Sequence, residues 1–226
     1  MNEQQKNTSS FRLHEASTPT DIERASMAII EAEAPTPRPF SGRAWIVARR
    51  LVHTSADFDI LNTLHFHPDA VTRGVEAIRN GATLITDTEM ARAGMTRRRL
   101  DPFGVRVVCF MSDPEVAEVA RMEGITRARA AMDRAMALPG PKIIAIGNAP
   151  TALLRLLECV DAGAPPPELV VGMPVGFVNA AESKDLLMAS TLSFITVAGR
   201  KGGSNLAAAA INALAEMALE DAGLTG

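Results

Sequence analysis

Apolar positions recur at three- and four-residue intervals along "DIERASMAIIEAEA" from Asp21, and the prolines between Pro35 and Pro39 end the run, so the spacing predicts a helix. "GRAWIVARRLV" predicts a second helix, which delivers His53 at or just beyond its C-terminal end. "PDAVTRGVEAIRNG" predicts a third, with Pro68 and Asp69 at its start and Gly81 closing it. From there the period changes, and short β-rich runs alternate with helical ones. "ATLIT" precedes "DTEMARAG", and "VRVVCFM" precedes a helical span from "SDPEVAEVARMEG" through "ITRARAAMDRAMA". "KIIAIG", "ELVVGM" and "SFITVAG" each lead into a further helical segment, the last of them "SNLAAAAINALAEMALED". Strands too apolar to face water, separated by helices, predict an α/β fold. The expected architecture is three layers, α/β/α, with a mostly parallel central sheet of about five strands and a helical N-terminal segment.

The opening residues are polar and carry no apolar core segment, so residues 1–20 read as a flexible tail rather than a secretory signal, and residues 21–226 as a single domain. No apolar run approaches the roughly 20 residues that span a bilayer. Cys109 and Cys159 lie far apart in apolar stretches, the pattern of free thiols in a cytoplasmic protein. A net charge of −3 argues against a chain whose main task is to hold nucleic-acid phosphates. Arginine far outnumbers lysine, which occurs only at Lys6, Lys142, Lys184 and Lys201. Its planar fork suits carboxylates and phosphates, although a GC-rich genome produces the same bias. With aromatics at 4% and no tyrosine, stacking platforms for bases or sugars are not evident.

Open parallel sheets bind ligands at the carboxyl ends of their strands, and there the turn residues gather. Thr86, Asp87 and Thr88 follow the first predicted strand, Ser112 and Asp113 the second, Gly147 and Asn148 the third. Gly172, Met173, Pro174 and Gly176 follow the fourth, and the fifth runs into "GRKGGSN", which holds Gly199, Arg200, Lys201, Gly202 and Gly203 before the alanine-rich helix. Glycines let backbone amides approach a ligand, and a helix start near Ser204 offers unpaired N–H groups to an anion. Gly and Asn also serve simply as turn formers. An anion-binding cleft accounts for five such turns at one edge more economically. The segment is not a Walker loop, because its lysine precedes the glycine pair, and no strand leads into a GxGxxG fingerprint, so a nucleotide cofactor is unsupported.

Two basic clusters flank this edge. "GMTRRRLD" carries Arg97, Arg98 and Arg99, and its place after the first strand–turn–helix unit leaves one of them available to a cleft. "GITRARAAM" places Arg127 and Arg129 two apart at a helix start, so only one can face a ligand, and spacing does not say which. In "NAAESKD", Glu182 and Ser183 fit N-terminal capping, and Lys184 has at most a secondary part in ligand charge. His53, in "LVHTSADFD", admits three readings: a proton carrier, a metal ligand with Asp57, Asp59, His65 and His67, or a satisfied structural residue.

The segments "IGNAPTALLRLLE", "GMPVGFVNAAESK" and "GRKGGSNLAAAAINAL", with "TDTEMARAGMTRRRL" and the "SMAIIEAEA" helix, closely resemble the precorrin-8X methylmutase family of cobalamin biosynthesis, from about Asp21 onwards. The resemblance implies an isomerase that moves a methyl group from carbon 11 to carbon 12 of a corrinoid ring by a 1,5-sigmatropic shift, giving hydrogenobyrinic acid or its cobalt counterpart. It further implies a homodimer with active sites near the subunit interface, no cofactor and no metal ligand set. It assigns the catalytic role to His53 and substrate contacts to Ser26, Thr96 and Arg127. Added to the edge residues Asp87, Arg97, Asn148, Pro174, Gly199, Arg200, Gly202 and Gly203, these make up the expected site. Met27, Ile125 and Ala128 depart from the family pattern, where phenylalanine, asparagine and serine are usual. A large ring fringed with carboxylates suits a cleft of amides, arginines and apolar side chains. A non-catalytic corrinoid carrier and a metal-dependent hydrolase are the alternatives from other classes.

Overall fold

The structure is a computed structural model, and it describes residues 18–224. Most of the predicted tail therefore lies outside the described residues. Helix α1 (Pro19–Glu33) takes up the last two residues of the predicted tail, because Thr18 caps it: its side-chain oxygen accepts the Asp21 N–H at 3.2 Å. Helix α2 (Gly42–Ser55) buries Trp45, Val47, Ala48, Leu51 and Val52 and ends where Ala56 turns left-handed. His53 therefore occupies its last turn.

A short helix, α3 (Ile60–Thr63), leads to β1 (Leu64–Phe66) and α4 (Ala70–Arg79). The alternating part follows: β2 (Thr83–Thr86), α5 (Glu89–Gly94), α6 (Arg97–Leu100), β3 (Val107–Cys109), α7 (Pro114–Glu123) and α8 (Arg127–Met136). It continues through β4 (Lys142–Ile146), α9 (Pro150–Asp161), β5 (Leu169–Gly172), α10 (Ala180–Ala189), β6 (Phe194–Val197) and α11 (Ser204–Asp221). The helical span predicted from Ser112 onwards breaks into α7 and α8 at Gly124, whose φ of 65° closes α7 and lets Thr126 cap α8.

The sheet has six strands in the order β1-β6-β5-β4-β2-β3, parallel throughout except β1, which pairs antiparallel with β6. That sixth strand is three residues long and lies at an edge. Alternate strand residues feed two cores. Leu84, Ile143, Ala145, Val171 and Ile195 face the layer of α1, α2, α4 and α11. Ile85, Ile144, Ile146, Val170 and Phe194 face the layer of α8, α9 and α10. Strands β4 and β5 are buried at every position, as a sheet covered on both faces requires. Helix α11 lies deepest in its layer, packed on α2, α4 and α5. No helix among the described residues is long and apolar enough to cross a membrane.

Candidate functional site

Helix α11 forms the floor of a cavity of about 610 Å³ in the layer that carries α2. Most of its residues are buried, but the exposed Asn205 and the half-buried Asn212, seven residues apart, line the cavity together with the buried Ala208 and Ala209. His53 and Thr54 of α2, Thr96 and Arg98 at the start of α6, and Ile22 and Glu23 of α1 also line it. Thr96 is held in place by Asn212, whose Oδ1 accepts the Thr96 N–H at 2.8 Å while its Nδ2 donates to the Gly94 carbonyl at 2.9 Å.

Two smaller cavities share walls with it. One of about 280 Å³ lies between Ser26, Ile29, Val52, His53 and Phe58, so His53 borders both spaces. The other, about 350 Å³, joins Thr54 and Asn205 to Val175, Lys201 and Gly202 at the sheet edge. His53, Ser26, Thr96 and Gly202 thus come together along one continuous surface.

The charges in the cleft are internally paired. Arg50 donates to Glu23 and, at 2.9 Å, to Glu216, and Arg99 lies 3.3 Å from the same Glu216. The Arg50 hydrogen bond holds the Glu23 carboxyl below the usual range, with further help from the charges of Arg50, Arg99 and His53. At the far end Lys201 donates to Asp57 at 2.6 Å, and this bond, with the Asp59 N–H, lowers the Asp57 carboxyl. Among the described residues Arg98 has no carboxylate partner.

Several expected contacts lie elsewhere. Asp87 is 4% exposed, and its carboxylate accepts the N–H groups of Gly147, Asn148 and Ala149 at 2.7 to 2.8 Å. Burial pushes its pKa up in spite of those bonds, and no oxygen is left for a ligand. Pro174 is buried, and the Gly203 amide is taken by the Met173 carbonyl at 2.9 Å. The start of α11 is covered too, because Gly147 packs against the Ser204 backbone so closely that a Cβ there would come under 3.0 Å. It is not an open anion site. Arg97 points away and pairs with Asp101 at 2.7 Å. Gly199 lies on the surface side of the loop, and Arg200 stacks over the exposed ring of Phe177 at 5.4 Å. The Asn148 side chain and Arg127 are exposed, and Arg127 starts α8 in the layer across the sheet from His53.

The metal cluster fails on geometry. His65 and His67 line a separate cavity of about 470 Å³ with Phe40, Phe66 and Val71, and His53 does not border it. No group of three or more His, Cys, Asp or Glu among the described residues is placed to hold a metal ion.

Glu23, Arg50, Asn205, Asn212 and Glu216 were not expected at the site. The asparagines had a signal: two polar residues seven apart in an otherwise apolar, alanine-rich helix mark a face directed at something other than core.

Comparison with known proteins places this arrangement. The family model for precorrin-8X methylmutase matches residues 21–217. The cobalt-precorrin-8 methylmutase of Priestia megaterium is 41% identical over 207 residues, covering 92% of this chain and 91% of the relative. The precorrin-8X methylmutase of a Sinorhizobium species is 43% identical, covering 88% and 94%. The crystal structure of the Thermus thermophilus precorrin-8x methyl mutase superposes with a TM-score of 0.82 at 43% identity, covering 91% of this chain and 98% of that one.

Proposed function

The chain belongs to the precorrin-8X methylmutase family, and from that premise we propose how its cleft carries out the rearrangement. The protein is an isomerase of cobalamin biosynthesis acting on a corrinoid. In the reaction the bond from the migrating methyl to carbon 11 breaks as its bond to carbon 12 forms, and the ring's double bonds shift to match. No atom is gained or lost, so the protein has to supply neither nucleophile nor hydride.

The observation that carries the reading is that His53 lines both the 610 Å³ cavity, which Thr96 also lines, and the Ser26 cavity. In the proposed mechanism the imidazole gives a proton, or a hydrogen bond, to a ring nitrogen. That draws π density from the conjugated system, makes the receiving carbon electron-poor, and is reversed once the methyl has moved. Histidine exchanges protons near neutral pH, and help of this kind is typically worth about 10²- to 10⁴-fold. Apolar Ile22, Ala208 and Ala209 pack against the ring, and Thr96 and Ser26 hold its polar rim and fix its orientation. Arg98, which has no carboxylate partner among the described residues, meets a peripheral carboxylate.

We further propose a homodimer, working in the cytoplasm, in which Arg127 serves the cleft of the other copy. Arg127 lies across the sheet from His53, and a shared site reconciles that separation with the role the family resemblance gives it.

The reading is tested by incubating the purified protein with precorrin-8X, and separately with its cobalt counterpart, and following the absorption spectrum. Conversion to the hydrogenobyrinic or cobyrinic acid spectrum is expected. Tight binding without conversion would make the protein a corrinoid carrier.

A further inference from the structure

Lys184 is fully buried in the first turns of α10, with 0% of its surface exposed. Its Nζ donates to the Lys201 carbonyl oxygen at 2.6 Å, and no carboxylate among the described residues lies in ion-pair contact with it. Burial draws its pKa down to about 8, with Asp185 opposing. A buried ammonium that lacks a carboxylate partner is unfavourable to the fold, and an apolar side chain of similar length would fill the same space without that cost. Its location is informative, because the carbonyl it holds belongs to the loop 199–203 at the end of the cleft.

That loop is tightly threaded. A Cβ on Gly202 would come under 3.0 Å from the carbonyl oxygens of Met173 and Pro174, so the backbone passes directly against the turn after β5. The Gly203 N–H donates to the Met173 carbonyl at 2.9 Å, and the Gly176 N–H to the Arg200 carbonyl at 3.2 Å. Several carbonyl oxygens are thereby brought close together, an arrangement a nearby positive charge favours. On its outward side the loop carries Lys201, whose Nζ reaches Asp57, four residues beyond His53. On its C-terminal side it runs into α11, which supplies Asn205 and Ala208 to the floor beneath His53.

We propose that Lys184 is a positioning residue for the methyl shift: from beneath the loop 199–203 its ammonium holds the Lys201 carbonyl and so fixes the seat of the corrinoid opposite His53. Lys184 does not reach the cleft, and it acts through the loop. The inference rests on the methylmutase reading for its consequence in turnover, and on the coordinates alone for its consequence in the loop.

The test uses the full-length chain carrying Lys184→Met, which keeps the volume and removes the donor and the charge. In hydrogen exchange, the amides of residues 199–203 should exchange about tenfold or more faster than in the parent, the size expected for losing one charge-assisted hydrogen bond, while those of β4 and β5 stay as they were. With precorrin-8X, KM should rise by about tenfold while kcat changes far less. Lys184→Gln, which keeps a donor, should fall between the two, and it serves as the test variant if the methionine form does not fold. Unchanged exchange at residues 199–203 in a folded variant would overturn the proposal whether or not the chain turns over substrate. Loss of the loop's protection in a protein whose parent converts neither precorrin-8X nor its cobalt counterpart would leave Lys184's hold on the loop standing and defeat the methylmutase reading instead.

Discussion

Asp87 shows how much one side chain can do without touching a ligand. Three N–H groups at the start of the turn after β4 converge on its two oxygens, those of Gly147 and Ala149 buried and that of Asn148 partly so. Replacing it with alanine leaves three largely buried donors without an acceptor, each unsatisfied group costing about 1–3 kcal/mol before relaxation. Asp87→Ala is therefore expected to lower unfolding free energy in urea by about 3 kcal/mol or more. A loss below about 1 kcal/mol would mean that water or a backbone shift replaces the carboxylate. From sequence this residue read as a substrate contact, and the reason is physical: a carboxylate that pins its own turn and one that awaits a ligand sit in the same short stretch of threonines. Only the register that sets Thr86 beside Ala145 brings the Gly147 amide within its reach. His53 differed. Its place in the last turn of α2 followed from the helical period of "GRAWIVARRLV" alone.

At the scale of elements, α11 joins the fold to the site. Its buried face packs against the sheet and helices α2, α4, α5 and α6, while its polar face floors the cleft, so a change at its first turn should register in both stability and binding. Gly147 tests this coupling. It lies outside the cavity, yet a methyl group there would overlap the Ser204 backbone. Gly147→Ala should destabilise the protein by about 1–3 kcal/mol and raise KM through displacement of Asn205, measured by thermal unfolding and steady-state kinetics. Lost stability with an unaltered KM would show that α11 moves without carrying the cleft. The five βα units were legible because buried strands and helices differ in period and turn residues punctuate them. The cleft itself was not. Its walls come from α1, α2, α6 and α11, and which faces of four helices meet depends on packing that no single element encodes. The short edge strand β1 escaped for a related reason: three residues give too little alternation to read.

At the scale of the molecule, the sheet separates two helical layers, with His53 in one and Arg127 in the other. If each site draws on both copies of a homodimer, inactive single variants should complement one another. Mixing His53→Ala and Arg127→Ala chains under conditions of subunit exchange should restore about a quarter of parental activity, because half the dimers are mixed and each holds one intact site in two. No recovery from well-exchanged dimers would place both residues in the same copy's site or remove Arg127 from catalysis. In the sequence, the exposed start of α8 at Arg127 has the pattern of any solvated helix start.

The central claim is that one imidazole in the α11 cleft biases the corrinoid ring for methyl migration. The most direct measurement is single-turnover conversion of precorrin-8X by His53→Ala beside the parent, with affinity for the product measured on both. The account predicts a rate reduced by about 10²- to 10⁴-fold with product binding retained. A variant that rearranges its substrate at nearly the parental rate would contradict it.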